Sequence, residues 1–461
     1  MLYCGHMSTP STEPQHSSPE HQPSRSVEEL YTEIAKKEPK PIELFVPTNA
    51  QEQQELFLSG EVRNPKHVYK KLNALDINGS VAQVTEFGDQ LLSQFDEGSI
   101  KRHAYGDFID RYLNIYELLR ATRDSHSEDE SVAAAARLRF MELNEQLFGA
   151  PDEVTYRSLL QEALDSIGEK QLTPSQSAIR DELNALIPPF DQTTERFRPS
   201  DETVQSMKGI AEYLYGGMFS HIPEGVEKFD PEAIAAVFTN IIASEFGEAA
   251  EGWTVVVVKA AAINVVASEK VIKIPENRKH VTPLELRGLI AHEIGVHMMR
   301  SVTGAETDLA ILATGLSDYY DAEEGLGKVM EQASKGAYEE AGVNYYLTVG
   351  LAYFDTKDFR DVHEVMWRIN LLEKADESTE VVEKDIVHAK EAAYKNVMRI
   401  MRGTDTLPWF KDLAYYNGTA RMWKYAEEAA GDPEKFTLLL IGKADITNDT
   451  HRRVLMETAS R

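Results

Sequence analysis

The chain has 461 residues, 42% of them hydrophobic, enough for two to three domains or for one large fold with a helical extension. Its 76 acidic against 48 basic residues leave a net charge of −28, which argues against nucleic acid as a partner and makes a glutamate-rich peptide a poor electrostatic match. A single cysteine, Cys4, excludes an intrachain disulfide and a cysteine-rich metal site.

Residues 1–25 are rich in Ser, Pro, His, Gln and Glu and are expected to form a disordered tail, because they cannot bury enough apolar surface to fold. His6, His16 and His21 read as solvated tail residues. No basic segment followed by an apolar core opens the chain, so no secretory leader is expected and the expected location is cytoplasmic. Residues 26–188 read as a helical N-terminal region. Its expected helices are Val27–Lys37, Lys66–Leu75, Val81–Phe95, Tyr105–Thr122, Glu130–Phe148, Asp152–Ile167 and Pro174–Leu186. Pro188-Pro189 marks the expected boundary with a second unit, residues 189–461.

That unit begins with helices over Asp201–Tyr215 and Pro231–Phe246. Three short β-branched runs follow, Trp253–Val258, Ile263–Val266 and Val271–Ile274, and predict a small antiparallel sheet. An exposed edge of such a sheet can hold an extended peptide by strand addition. Trp253–Ala267 is the most apolar stretch, but Lys259 and Asn264 interrupt it, so no membrane span and no membrane partner are expected.

Next comes His292-Glu293-Ile294-Gly295-Val296-His297, two imidazoles and a carboxylate within six residues. Catalytic zinc uses three protein ligands and keeps one position open for water, and a nearby carboxylate can take that water's proton. Thr282-Pro283-Leu284-Glu285 announces a helix, with an N-cap, a proline at its first position and a capping-box glutamate. The histidines are five residues apart, so an ideal α-helix would set them about 140° apart. A π-bulge over Ile294–Val296 would bring them together, eased by Gly295, which has no Cβ. Two imidazoles and one carboxylate suit zinc among the divalent ions. Downstream, Glu324 in Glu323-Glu324-Gly325-Leu326-Gly327 is the candidate third ligand, unless Asp321 and Glu324 merely form a capping box. The rest reads as helical: Tyr338–Ala352, Thr356–Lys374, Thr379–Met401, Asp412–Ala429, Pro433–Ile441 and Asn448–Thr458.

Three motifs occur in order: HEIGVH, EEGLG, and Trp409-Phe410-Lys411-Asp412-Leu413-Ala414-Tyr415-Tyr416-Asn417-Gly418. Together they resemble the bacterial family named for a QEGLA motif and for modulating flavohaemoglobin expression, whose animal relatives are the microtubule-associated tyrosine carboxypeptidases. Asn264–Ile274 extends the likeness upstream. Two departures stand out: Gly327 replaces the family's alanine, and the threonine of the family's F-T-K-D is missing. The resemblance implies an α+β, predominantly helical fold with a zincin-like metallopeptidase core, in which the small sheet lies beside the active-site helix. It implies Zn2+ held by His292, His297 and Glu324, with Glu293 as general base. A carboxypeptidase must also recognise a terminal carboxylate. Arg399, Arg402 and Lys411 are the candidate receptors, and Tyr415 could steady an oxyanion. The expected substrate is the C-terminus of a peptide or protein ending in a tyrosine-like residue. The alternatives are an aminopeptidase or dipeptidyl peptidase with an H-E-x-x-x-H site, or a non-catalytic regulatory protein with a vestigial metal site.

Overall fold

The computed structural model describes residues 25–190, 193–260, 262–378, 380–429 and 431–459. The expected tail to Ser24, with His6, His16 and His21, lies outside them. Helix starts follow local chemistry. Ser26, Thr173 and Thr282 each cap a helix through the side-chain oxygen and donate their own amide N–H to the side chains of Glu29, Gln176 and Glu285. The helices Glu130–Phe148 and Pro174–Leu186 have the expected bounds.

The expected helix Lys66–Leu75 shrinks to Lys70–Ala74. Residues 66–68 find other partners: Asn49 bonds to the Lys66 carbonyl at 3.0 Å and the Val68 amide at 2.9 Å, and Gln53 accepts from the Lys66 amide at 2.7 Å. Asn49 and Gln53 come from the short helix Ala50–Leu58 and its N-cap, an element the apolar pattern did not reveal. The expected Tyr338–Ala352 starts only at Val343, because Gly342 (φ 76°) turns the chain left-handed just before it.

The three strands are β1 (Thr254–Val258), β2 (Asn264–Val266) and β3 (Val271–Pro275), in the order β1-β3-β2. The sheet is mixed rather than antiparallel. β2 runs antiparallel to β3, but β1 is parallel to β3, pairing Val255 with Ile272 and Val257 with Ile274. β3 lies at the centre and is the most deeply buried of the three, with β1 and β2 on opposite edges. β2 packs beside the histidine helix.

Against expectation, one helical stretch, Pro231–Ala250, is long and apolar enough by length and composition to cross a bilayer. Its Ile234, Val237, Phe238 and Ile241 are buried in the protein core.

Three apolar clusters hold the chain together. One surrounds the histidine helix and includes Tyr215, Ile272, Ile290, Leu326 and Trp423. A second joins N-terminal helices to Ile311, Trp409 and Val454. The third joins Tyr156 and Leu160 to Tyr346, Met366 and Tyr394. Distant stretches of sequence therefore share each core.

The helix carrying EEGLG, Tyr320–Lys335, crosses the helix Ala414–Ala429 at backbone contact. A Cβ on Gly325 would lie 2.2 Å from the Gly418 carbonyl, and one on Gly418 would lie 1.9 Å from the Asp321 carbonyl oxygen. Only glycine fits on either side.

Candidate metal centre

The histidine helix begins as an α-helix at Pro283–Leu289, widens into a π-helix over Ile290–Met298, and returns to α at Met299–Ala305. The expected widening is therefore present, but over nine residues rather than three. It carries His292 and His297 onto one face. Their ring centroids are 4.8 Å apart, with the rings 78° to one another. One ligand atom from each of His292, Glu293 and His297 can be chosen so that all lie within 4.8 Å of one another, the single such group among the described residues.

Glu324 enters from the crossing helix, its Oε2 4.0 Å from His292 Nε2. The capping-box alternative does not hold. Asp321 and Glu324 both lie inside Tyr320–Lys335, whose N-cap, Tyr319, makes no side-chain cap bond. Gly327 explains its own departure from alanine: a Cβ there would sit 2.9 Å from the His292 ring.

Each histidine is oriented through its other nitrogen. His297 Nδ1 lies 2.9 Å from Glu323 and His292 Nδ1 lies 3.3 Å from Glu331. Both Nε2 atoms are thus left for a metal, the arrangement by which outer carboxylates fix metal-binding imidazoles. Glu323 also pairs with Arg300 and, at 3.1 Å, with Lys443. Burial alone would raise its carboxyl pKa, but Lys443, Arg300 and His297 hold it well below the usual range. Glu331 behaves alike: burial opposes ionisation, while His292 and Lys328 lower its pKa strongly. Arg300 is lashed to the C-terminal segment through the carbonyls of Gly442, at 2.8 Å, and Ala444.

Zinc bonded at about 2.1 Å by a tetrahedral donor set needs ligand atoms about 3.4 Å apart. The 4.0 Å between His292 Nε2 and Glu324 Oε2 is close to that, the ligand atoms of His292, Glu293 and His297 lie within 4.8 Å of one another, and two imidazoles with a carboxylate are donor types that zinc takes.

Lys411 and Tyr415 of the third motif lie near Glu324, and Arg399 and Arg402, just upstream of it, gather around Asp412. Burial pushes the Lys411 ammonium down to about 8, partly offset by Asp412 and Glu324. Its Nζ bonds to the Tyr320 hydroxyl. Arg399 is held by Asp412 through two bonds, at 2.7 and 3.0 Å, and lies over Tyr345 and Tyr415. Arg402 stacks on Trp409, stands 3.7 Å from Asp412, and has a buried Nε without a partner. Tyr415 lies within electrostatic reach of Glu324 and beside Tyr320.

Sequence reasoning missed Glu323, Glu331, Arg300, Lys443 and Tyr320. Glu331 left a trace: Glu324, Lys328, Glu331 and Lys335 recur at helical spacing, a polar stripe along an otherwise buried helix. Glu323 is the other half of the Glu-Glu pair. Arg300 and Lys443 carried no local signal.

The sequence profile of the family described as microtubule-associated tyrosine carboxypeptidase matches residues 210–340 and 380–458, a little under half of the chain. The match takes in the π-helix, the EEGLG helix and the Arg399–Tyr415 region. No curated protein matches the chain.

Proposed function

We propose that this chain, a relative of the microtubule-associated tyrosine carboxypeptidases, is a zinc-dependent carboxypeptidase that removes a C-terminal aromatic residue from a peptide or protein. The observation that carries the reading is the convergence of His292, Glu293 and His297 across a π-helix, with Glu324 entering from a second helix.

His292, His297 and Glu324 would hold the zinc, which when bound supplies Lewis-acid polarisation of the scissile carbonyl and lowers the pKa of a water. Glu323 and Glu331 hold the two imidazoles through Nδ1, which would leave each Nε2 free to take the metal. The Glu293 carboxylate takes a proton from the attacking water as its oxygen bonds to the scissile carbonyl carbon. Glu293 then returns that proton to the leaving nitrogen as the C–N bond breaks, so one water is consumed per bond cleaved. Lys411 and Arg402 bind the terminal carboxylate; Arg399, already committed to Asp412, buttresses them. Tyr415 supplies a hydroxyl for the developing oxyanion, and the tilted pair of Tyr345 and Tyr415, whose ring centroids are 5.7 Å apart, offers aromatic edges to a bulky final side chain.

The test is a peptide library with varied last residues, incubated with the parent and with Glu293→Gln and read by mass spectrometry. Release of single C-terminal Tyr or Phe by the parent alone, abolished by chelator and by C-terminal amidation, is the expected result. Trimming from the N-terminus would favour an aminopeptidase or dipeptidyl peptidase. Turnover by Glu293→Gln at the parent rate would sink the mechanism.

A further inference from the structure

Nine residues of π-helix need an explanation, because π geometry occurs mostly as single-turn bulges. Gly295 is the sixth of the nine widened residues and lies between the histidines. Its φ is not positive, so its backbone conformation does not require glycine. What requires it is a neighbour. A Cβ on residue 295 would lie 2.7 Å from Cε1 of Tyr215 and 3.0 Å from its Cδ1 and Cζ. The Tyr215 ring therefore lies directly against the main chain of the widened turn.

Tyr215 comes from the helix Asp201–Phe219 and is completely buried. Its ring is fixed by edge contact with Phe219, at 6.3 Å and 71°. Its hydroxyl is buried and has no hydrogen-bond partner. A buried hydroxyl with no partner is unfavourable where phenylalanine would give the same ring without it. The contact with the widened turn is made by the ring, since the atoms nearest residue 295 are the ring carbons Cε1, Cδ1 and Cζ.

We propose that Tyr215 is a positioning residue for the two histidines. Its ring occupies the space that a side chain at 295 would fill and holds the turn open in π geometry, so that His292 and His297 face one point. The link to zinc rests on the reading that these histidines hold the metal; the link to helix geometry does not.

Two measurements on the full-length protein separate those links. The first is amide hydrogen exchange of metal-free protein across residues 290–298. Tyr215→Ala is expected to speed exchange there at least tenfold while residues 283–289 stay near parent rates, and Tyr215→Phe, which keeps the ring and sheds the unpartnered hydroxyl, is expected to exchange no faster than the parent. The second is zinc affinity by competition with a chromophoric chelator. Tyr215→Ala and Gly295→Ala are each expected to weaken zinc at least tenfold, and Tyr215→Phe to keep it. Adding Tyr215→Leu to Gly295→Ala returns space to the new methyl and is expected to recover most of the affinity. A purely structural tyrosine would lower the melting temperature and leave zinc affinity per folded molecule intact; that result overturns the proposal, as does loss of zinc in Tyr215→Phe. Should the parent bind no zinc, the peptidase reading fails on its own, and the exchange experiment still decides the role of Tyr215.

Discussion

Replacing Glu323 by glutamine tests whether the acid behind His297 does electrostatic as well as orienting work. The carboxylate is 2% exposed and serves three partners: His297, Arg300 and Lys443. Arg300 is 1% and Lys443 6% exposed, so neither can turn to water when the anion is lost. Glutamine keeps the shape and one acceptor but presents an NH2 group to one of two buried cations. Removing one partner of a buried ion pair costs about 3–5 kcal/mol. Arg300 keeps its bonds to Gly442 and Ala444, which puts the expected loss near the lower end, about 3 kcal/mol. For a chain of 461 residues, whose unfolding entropy is about 1 kcal/mol/K, that is a fall in Tm of about 3 °C, read by circular dichroism on chelated protein. Zinc affinity should fall about 10- to 100-fold in the same variant, because His297 loses a charged acceptor. Adding Lys443→Met removes one stranded cation and should recover part of the stability, a coupling that a double-mutant cycle measures. A metal-free Tm for Glu323→Gln equal to that of the parent would show that the buried cations do not depend on this anion and would refute the reasoning.

Three further outcomes are expected. Glu324→Ala should lose stoichiometric zinc by elemental analysis while Glu293→Gln keeps it; the opposite pattern would exchange their roles as ligand and base. Gly418→Ala must push the crossing helices apart, because its methyl would start 1.9 Å from the Asp321 carbonyl oxygen; a loss of about 3 kcal/mol, at the top of the overpacking range, is expected in thermal unfolding. Lys411 has a folded pKa of about 8, below its unfolded value, so free enzyme loses this positive charge as pH rises through 8. KM for a C-terminal peptide should therefore rise above pH 8 with kcat level, and Lys411→Arg should abolish the break. Stability should rise over the window from about 8 to about 10.4, where the unfolded chain binds the proton more strongly.

What could be read from the sequence was whatever depends on neighbours in the chain. The five-residue histidine spacing required a widened helix, and the capping residues Thr282 and Glu285 fixed where it begins. The length of the widening was hidden, because Tyr215, which presses on it, lies on a helix that precedes the sheet. The three strands were legible as β-branched runs. Their pairing was not, since β-branched runs fix neither strand order nor direction, and β1 pairs with β3 in parallel although β2 comes between them in the chain. Helix 66–75 failed for the same kind of reason: its first residues give their polar backbone groups to Asn49 and Gln53. Glu324 could be proposed from its motif, but Arg300 and Lys443 meet Glu323 only after the C-terminal segment has folded back.

The glycines of the second and third motifs bring those motifs together in space. Gly325 and Gly418 touch backbone to backbone, so two helices approach more closely than any side chain would allow. Glu324 is the residue just before Gly325, and Tyr415 lies one helical turn before Gly418. Closing the crossing at the glycines therefore brings the candidate third ligand and the tyrosine into the same electrostatic neighbourhood, and Lys411 follows on the short 3-10 turn Phe410–Leu413 that leads into the helix. The small residues carry no chemistry of their own. They set the distance between helices, and that distance determines whether a basic, aromatic surface faces the acid beside His292. A side chain at either glycine would separate the two halves of the proposed site before it disturbed any group that touches substrate.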